Sequence, residues 1–111
     1  ALENFGRPTV ITQWGCWNTY HVMPTYDTLG HRLLLNDGRG AAAVLGAATL
    51  TEALSEQKLG RRLFAQIGSR RQRLGKALID AKKDLALTDP ERLDVLLGWT
   101  LLGDPTLVVE P

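Results

Sequence analysis

The chain has 111 residues, 44% of them hydrophobic and 23% charged, with a formal net charge of +1. That length fits one small domain, or a piece of a larger one, and argues against two cores. The composition holds no tract biased toward disorder, the near-neutral charge gives no chain-wide pull toward nucleic acid or anionic membrane, and no apolar run reaches the roughly 20 residues that span a bilayer.

"PTVITQWG", Pro8 to Gly15, opens with a proline at a strand's first position and continues through β-branched Thr9, Val10, Ile11 and Thr12, which predicts a buried strand. Asp27 is the expected N-cap of a helix through Leu29, Leu33 and Leu34 that closes near the "NDGRG" turn, Asn36 to Gly40. "AAAVLGAA", Ala41 to Ala48, is a continuous apolar run without alternation. A strand covered on both faces of a parallel sheet has this pattern, and so does a buried helix.

Thr49 and Glu52 have capping-box spacing for a helix that carries Leu59, Leu63 and Ile67 until Gly68 supplies a stop. A second helix sets Leu74, Leu78, Ala81 and Leu85 on one side, with Lys76 and Asp80 four apart on another. "TDPE", Thr88 to Glu91, reads as a third helix start, with Thr88 and Glu91 as a capping box or Asp89 as N-cap before Pro90. Leu93, Leu96 and Leu97 give that helix its apolar face, its end is expected at Gly103, and "TLVVE", Thr106 to Glu110, reads as the last strand. The order strand, helix, strand, three helices, strand predicts a single α/β unit over residues 1–111, with a mostly parallel sheet flanked by helices.

In open α/β sheets, ligands and catalytic groups sit beyond the carboxyl ends of the strands, and Cys16 falls at such an end. A thiolate there suits a nucleophile, with a histidine as general base and backbone N–H groups facing an oxyanion. The plain alternative is a small buried hydrophobe. As the only cysteine, Cys16 excludes an internal disulfide framework. His21 lies five residues on, but sequence proximity does not make a dyad, and a surface-loop histidine is the simpler reading. Cys16 and His21 are too few for a closed zinc site, so no metal is expected. His31 falls in a predicted helix, where it is structural or solvent-facing.

Between Lys58 and Lys83, nine cations including Arg61, Arg62, Arg70, Arg71 and Arg73 face only Asp80. They raise a rival reading as a nucleic-acid-binding module, against which stand the lack of interleaved aromatics and of any DNA-binding motif. "NDGRG" lacks the Gly-Lys-Ser/Thr ending of a phosphate loop. Asp80, Asp84 and Asp89 show no spacing that suggests an acid and base pair.

"TVITQWGCWN" followed by a helix, then "GRGAAAVLGAAT", a helical stretch and "TLLGDPTLVV", resembles the carboxyl-terminal half of the gingipain-type cysteine peptidase domain, from the larger caspase-like group. The similarity runs from about Thr9 to Val109, and its most specific mark is the Gly-Asp-Pro turn, Gly103 to Pro105. There Gly103 suits a left-handed helix end, Asp104 can bond back into the turn, and Pro105 fixes the entry into the last strand. The resemblance implies that Cys16 is the nucleophile attacking a scissile carbonyl, its own N–H contributing to the oxyanion hole. It places the turn Ala47 to Thr51, with Ala48 and Thr49 as substrate-binding residues, beside the pocket for the residue preceding the scissile bond.

The resemblance also implies a catalytic histidine from an upstream strand end, outside these residues, so the chain reads as half of a catalytic domain, inactive alone. A glycine usual shortly after the nucleophile is replaced by Trp17, Asn18 and Thr19, of which Asn18 alone fits the pattern. Trp14 and Trp17 therefore shape a pocket or block one, and a blocked relative would be a non-catalytic scaffold or partner-binding domain. The implied partners are a peptide or protein substrate and the missing amino-terminal half, with no nucleic acid and no membrane span. Bare edge strands would let the isolated piece form a homodimer. No cofactor is expected, and calcium use by the parent is not legible in these residues. Family habit points to a secreted or cell-envelope location, although "ALENFGRPT" shows neither the basic nor the apolar region of a secretion signal.

Overall fold

A computed structural model describes residues 3–7, 9–23, 25 and 27–110. Its elements are β1 (Val10–Gln13), α1 (Leu29–Leu34), β2 (Ala43–Ala47), α2 (Ala53–Ser69), α3 (Leu74–Thr88), α4 (Leu93–Gly98) and β3 (Trp99–Gly103). The sheet order is β1-β2-β3. β1 runs parallel to β2, with Val10 opposite Ala43 and Gln13 opposite Gly46, whereas β3 runs antiparallel, with Ala47 opposite Trp99 and Ala43 opposite Gly103. The α/β class holds, but the sheet is mixed among the described residues, where a mostly parallel one was expected.

All five residues of β2 are buried, as its unbroken apolar run requires. Ala43, Leu45 and Ala47 join Leu59 and Leu63 of α2, and Leu74, Ala77, Leu78, Ala81 and Leu85 of α3, in one core cluster. Burying each of these leucines stabilises the fold by ~1.5–3 kcal/mol. The alternate residue Val44 is fully buried outside that cluster, and Gly46 lies against Thr19.

The helix termini depart from the sequence reading at several points. Thr28, not Asp27, caps α1: its hydroxyl accepts from the His31 N–H, and the His31 ring accepts from the Thr28 N–H. Asp27 instead pairs with Arg32 at 2.8 Å. Thr49 and Glu52 form no capping box, because Thr49 is pressed against Gly98 while Glu52 becomes the N-cap and donates its own N–H to Asp94 at 2.9 Å. α2 passes through Gly68 and stops at Ser69.

"TDPE" ends a helix rather than starting one. Asp89 is the C-cap of α3, donating to Leu85 O at 2.8 Å, and α4 begins only at Leu93. α4 then gives way to β3 at Trp99, so the helix expected to reach Gly103 stops at Gly98. Buried Trp99 supplies the reason: its ring belongs to the core cluster, and its backbone lies opposite Ala47.

"TLVVE" makes no sheet strand, only an isolated bridge from Val108 to Arg73. Its carbonyls do other work. The first turn of α3 leaves N–H groups without intrahelical partners, and Leu107 O accepts from Leu74 N at 2.7 Å while Pro105 O accepts from Gly75 N at 2.9 Å. In the Gly-Asp-Pro turn, Asp104 accepts from both the N–H and the hydroxyl of Thr106, at 2.8 and 2.6 Å. These bonds hold the Asp104 carboxyl below its usual range, the hydroxyl contributing most. Gly103 is left-handed, φ +112, but it ends β3 rather than a helix.

Four of the nine cations of the basic stretch pair with acids, three of them with acids distant in sequence. Lys58 pairs with Asp89, Arg62 with Asp84 at 3.2 Å, Lys76 with Asp80 at 2.5 Å and Arg71 with Glu110 at 2.5 Å. Lys82 donates to Trp99 O at 2.6 Å, and burial pushes its ammonium below the usual lysine range. This pairing leaves less positive charge free for phosphate than the sequence order suggests. No helix among the described residues is long and apolar enough to cross a membrane.

Candidate active site

Because β1 and β2 are parallel, their carboxyl ends lie side by side, and the segment after β1 folds across the end of β2. Thr19 N donates to Ala47 O at 3.1 Å and Trp17 N to Thr49 O at 3.2 Å, which ties the Cys16 loop to the 47–51 turn. Two residues flanking Cys16 take left-handed conformations, Gly15 at φ +132 and Trp17 at φ +63. A tryptophan at positive φ is strained and persists only where neighbours hold it. Here its N–H is bound to Thr49, its carbonyl accepts from Tyr20 N at 3.3 Å, and its ring meets Tyr20 edge-on at 5.3 Å.

Cys16 is half-buried, and among the described residues its sulfur makes its hydrogen bonds with Thr51. The thiol donates to Thr51 O at 3.2 Å and the sulfur accepts from Thr51 N at 3.4 Å, with the Thr51 hydroxyl 3.7 Å away. Among the described residues no acceptor occupies the Cys16 N–H.

Of the expected substrate-binding pair, Ala48 is buried, donating to Gly98 O at 2.8 Å, whereas Thr49 is exposed with its carbonyl committed to Trp17. A groove of about 590 Å³ opens beyond the same turn, lined by Leu50, Thr51, Glu52, Ser55, Arg92 and Asp94. His21 does not approach the thiol through any hydrogen bond; its Nδ1 lies 3.0 Å from Thr19 O. His31 serves the α1 capping box. Among the described residues no group of three or more His, Cys, Asp or Glu is placed to hold a metal ion.

The two flanking tryptophans differ. Trp14 is 41% exposed and lies on the protein body, 4.5 Å from the Trp99 ring and 6.0 Å from Phe64, over Gly60 of α2. A methyl on Gly60 would overlap the indole, so only glycine admits this approach. Trp17 is 46% exposed and stands beside the thiol loop.

One residue of the site was missed by the sequence reading. Glu56, in the first turn of α2, is only 6% exposed, and its Oε1 accepts from Thr51 Oγ1 at 2.7 Å, Gly15 N at 3.2 Å and Trp99 Nε1 at 3.4 Å. A signal existed: Glu56 shares the helical stripe of Leu59 and Leu63, where a charged residue demands partners.

The fold and this site define an α/β protein that presents a half-buried thiol at the end of a strand. The chain matches the model of peptidase family C25 over residues 1–110, and it belongs to that family, the gingipain family. Membership implies a cysteine peptidase acting on protein substrates. No curated protein and no solved structure matches the chain.

Proposed function

We propose that the chain carries the nucleophile side of a cysteine endopeptidase site with a caspase-like architecture, Cys16 being the nucleophile and a histidine outside this chain the general base. The observation that carries the reading is the placement of Cys16 beyond the parallel ends of β1 and β2, its N–H bound to no acceptor among the described residues. The base takes the thiol proton and the sulfur bonds to the scissile carbonyl carbon, leaving an oxyanion that the Cys16 N–H can face. Collapse breaks the C–N bond, and the departing amine takes the proton from the base. A water deprotonated by the same base then attacks the thioester, releasing the acid and returning the thiol. The substrate residue before the scissile bond rests against the 47–51 turn, on the Ala48 and Thr49 side. This chemistry needs no cofactor, and the parent works outside the cytoplasm, as secreted or envelope protein.

A second reading, a scaffold without activity, is favoured by one observation: the sulfur's hydrogen bonds go to Thr51, in the protein body. The test compares the full-length parent with its Cys16→Ala variant on a mixed peptide library, under reducing conditions with calcium. Cleavage lost with the thiol supports the peptidase, cleavage that persists refutes Cys16 as nucleophile, and no cleavage by either form supports the scaffold.

A further inference from the structure

Glu56 and Thr51 lie behind the thiol on α2 and the turn before it, and the two-residue chemistry above uses neither. The Glu56 carboxylate is buried, and one oxygen, Oε1, gathers donors from three segments: Gly15 beside the nucleophile, Thr51 in the turn, and Trp99 at the start of β3. A buried carboxylate whose oxygen is filled this way holds its donors firmly, since each would otherwise be left unpaired.

The Thr51 hydroxyl has one proton and two acceptors within reach, the Glu56 carboxylate and the Cys16 sulfur. At 2.7 Å the Glu56 acceptor takes the proton in preference to the sulfur 3.7 Å away. The hydroxyl is thereby fixed, and with it the Thr51 backbone, whose carbonyl and N–H are the groups that align the Cys16 sulfur. The same carboxylate anchors the Gly15 N–H, one residue before Cys16, and so restrains a glycine that would otherwise be free to take other conformations.

Resting on Cys16 as nucleophile, we propose that Glu56 is a positioning residue of the peptidase, acting on Cys16 from both sides, through Gly15 directly and through Thr51 as a relay. What matters is the acceptor oxygen at that point, not the charge. Substrate does not touch Glu56, so its loss lowers kcat while KM stays within twofold.

The test uses the full-length protein with Glu56→Ala, Glu56→Gln and Thr51→Val variants. Folding is checked by circular dichroism, kcat and KM are measured on a peptide substrate, and the rate of Cys16 alkylation by iodoacetamide is followed. A misplaced reacting group costs on the order of 10- to 100-fold, so Glu56→Ala and Thr51→Val each lower kcat by that range and change the alkylation rate at least about fivefold. Glu56→Gln, which keeps an amide oxygen at the hub, restores kcat to within about threefold of the parent. Combining Thr51→Val with Glu56→Ala costs less than the product of the two effects, because they act through one chain of contacts.

Folded variants with kcat and alkylation both within twofold of the parent overturn the inference, and so does a folded Glu56→Gln as impaired as Glu56→Ala. If Glu56→Ala does not fold, Thr51→Val, whose side chain keeps its volume, decides alone. Cys16→Ala is run in parallel. Activity that survives it refutes the nucleophile reading itself, whereas the alkylation rates still judge the positioning by Glu56.

Discussion

Replacing Trp99 by phenylalanine separates two contributions that meet at one buried ring. Trp99 is 1% exposed, lies 4.5 Å from the Trp14 ring and donates its indole N–H to Glu56 at 3.4 Å. Phenylalanine keeps an aromatic body there but has no donor. A lost hydrogen bond to a charged group costs about 1.5–3 kcal/mol, and at this length the lower figure applies. The space left by the smaller ring, roughly 40 Å³ at ~24 cal/mol per Å³, adds about 1 kcal/mol.

The sum, about 2.5 kcal/mol, is a large share of the 5–15 kcal/mol typical of a domain. With a urea m value of about 1.5 kcal/mol/M, it lowers the unfolding midpoint by roughly 1.7 M at constant slope. Far-UV circular dichroism is the readout, because the substitution itself alters tryptophan fluorescence. In a Glu56→Ala background the same replacement should cost only the packing component, about 1 kcal/mol. A midpoint shift below about 0.5 M, or an equal cost in both backgrounds, would refute the assigned hydrogen bond.

Gly103→Ala would set a methyl 2.5 Å from Ala42 O at φ +112, so it should cost more than about 2 kcal/mol, read as a lowered midpoint in thermal melts. At an open site in a helix, Gly→Ala gains about 1 kcal/mol, but Gly60→Ala should destabilise instead, and near-UV circular dichroism should show Trp14 displaced from Trp99. The Lys58 ammonium, and after it the Thr88 hydroxyl, hold the Asp89 carboxyl below its usual 3.8. Its folded pKa being the lower one, this group contributes stability above about pH 3.8 that is lost as pH falls through the folded value. Asp89→Asn should therefore flatten the melting temperature in that acid window, and an unchanged acid limb would count against the Lys58 pairing.

Much of the site was legible because it is local. The β-branched run Thr9 to Thr12 marks a strand whose end comes just before Cys16, and the unbroken run through Val44 and Leu45 marks its buried neighbour. The Asp104 bonds to Thr106 span two residues and follow from composition alone. Helix ends were harder, since Thr28 competes with Asp27, and Thr49 with Glu52, for caps that only packing distinguishes.

By itself the sequence determined the α/β class, the helical stripes of α2 and α3, and the thiol at a strand end, all set by neighbours within one or two turns of chain. Tertiary structure decided the rest. Of two apolar stretches near the end, Trp99 to Leu102 joined the sheet because Trp99 fits the core, while Leu107 was drawn to the bare N–H groups of α3. Glu56 gained its place in the site from donors 41, 5 and 43 residues away. A buried carboxylate must find its hydrogen bonds wherever the fold brings them, and no pattern along the chain states where that is.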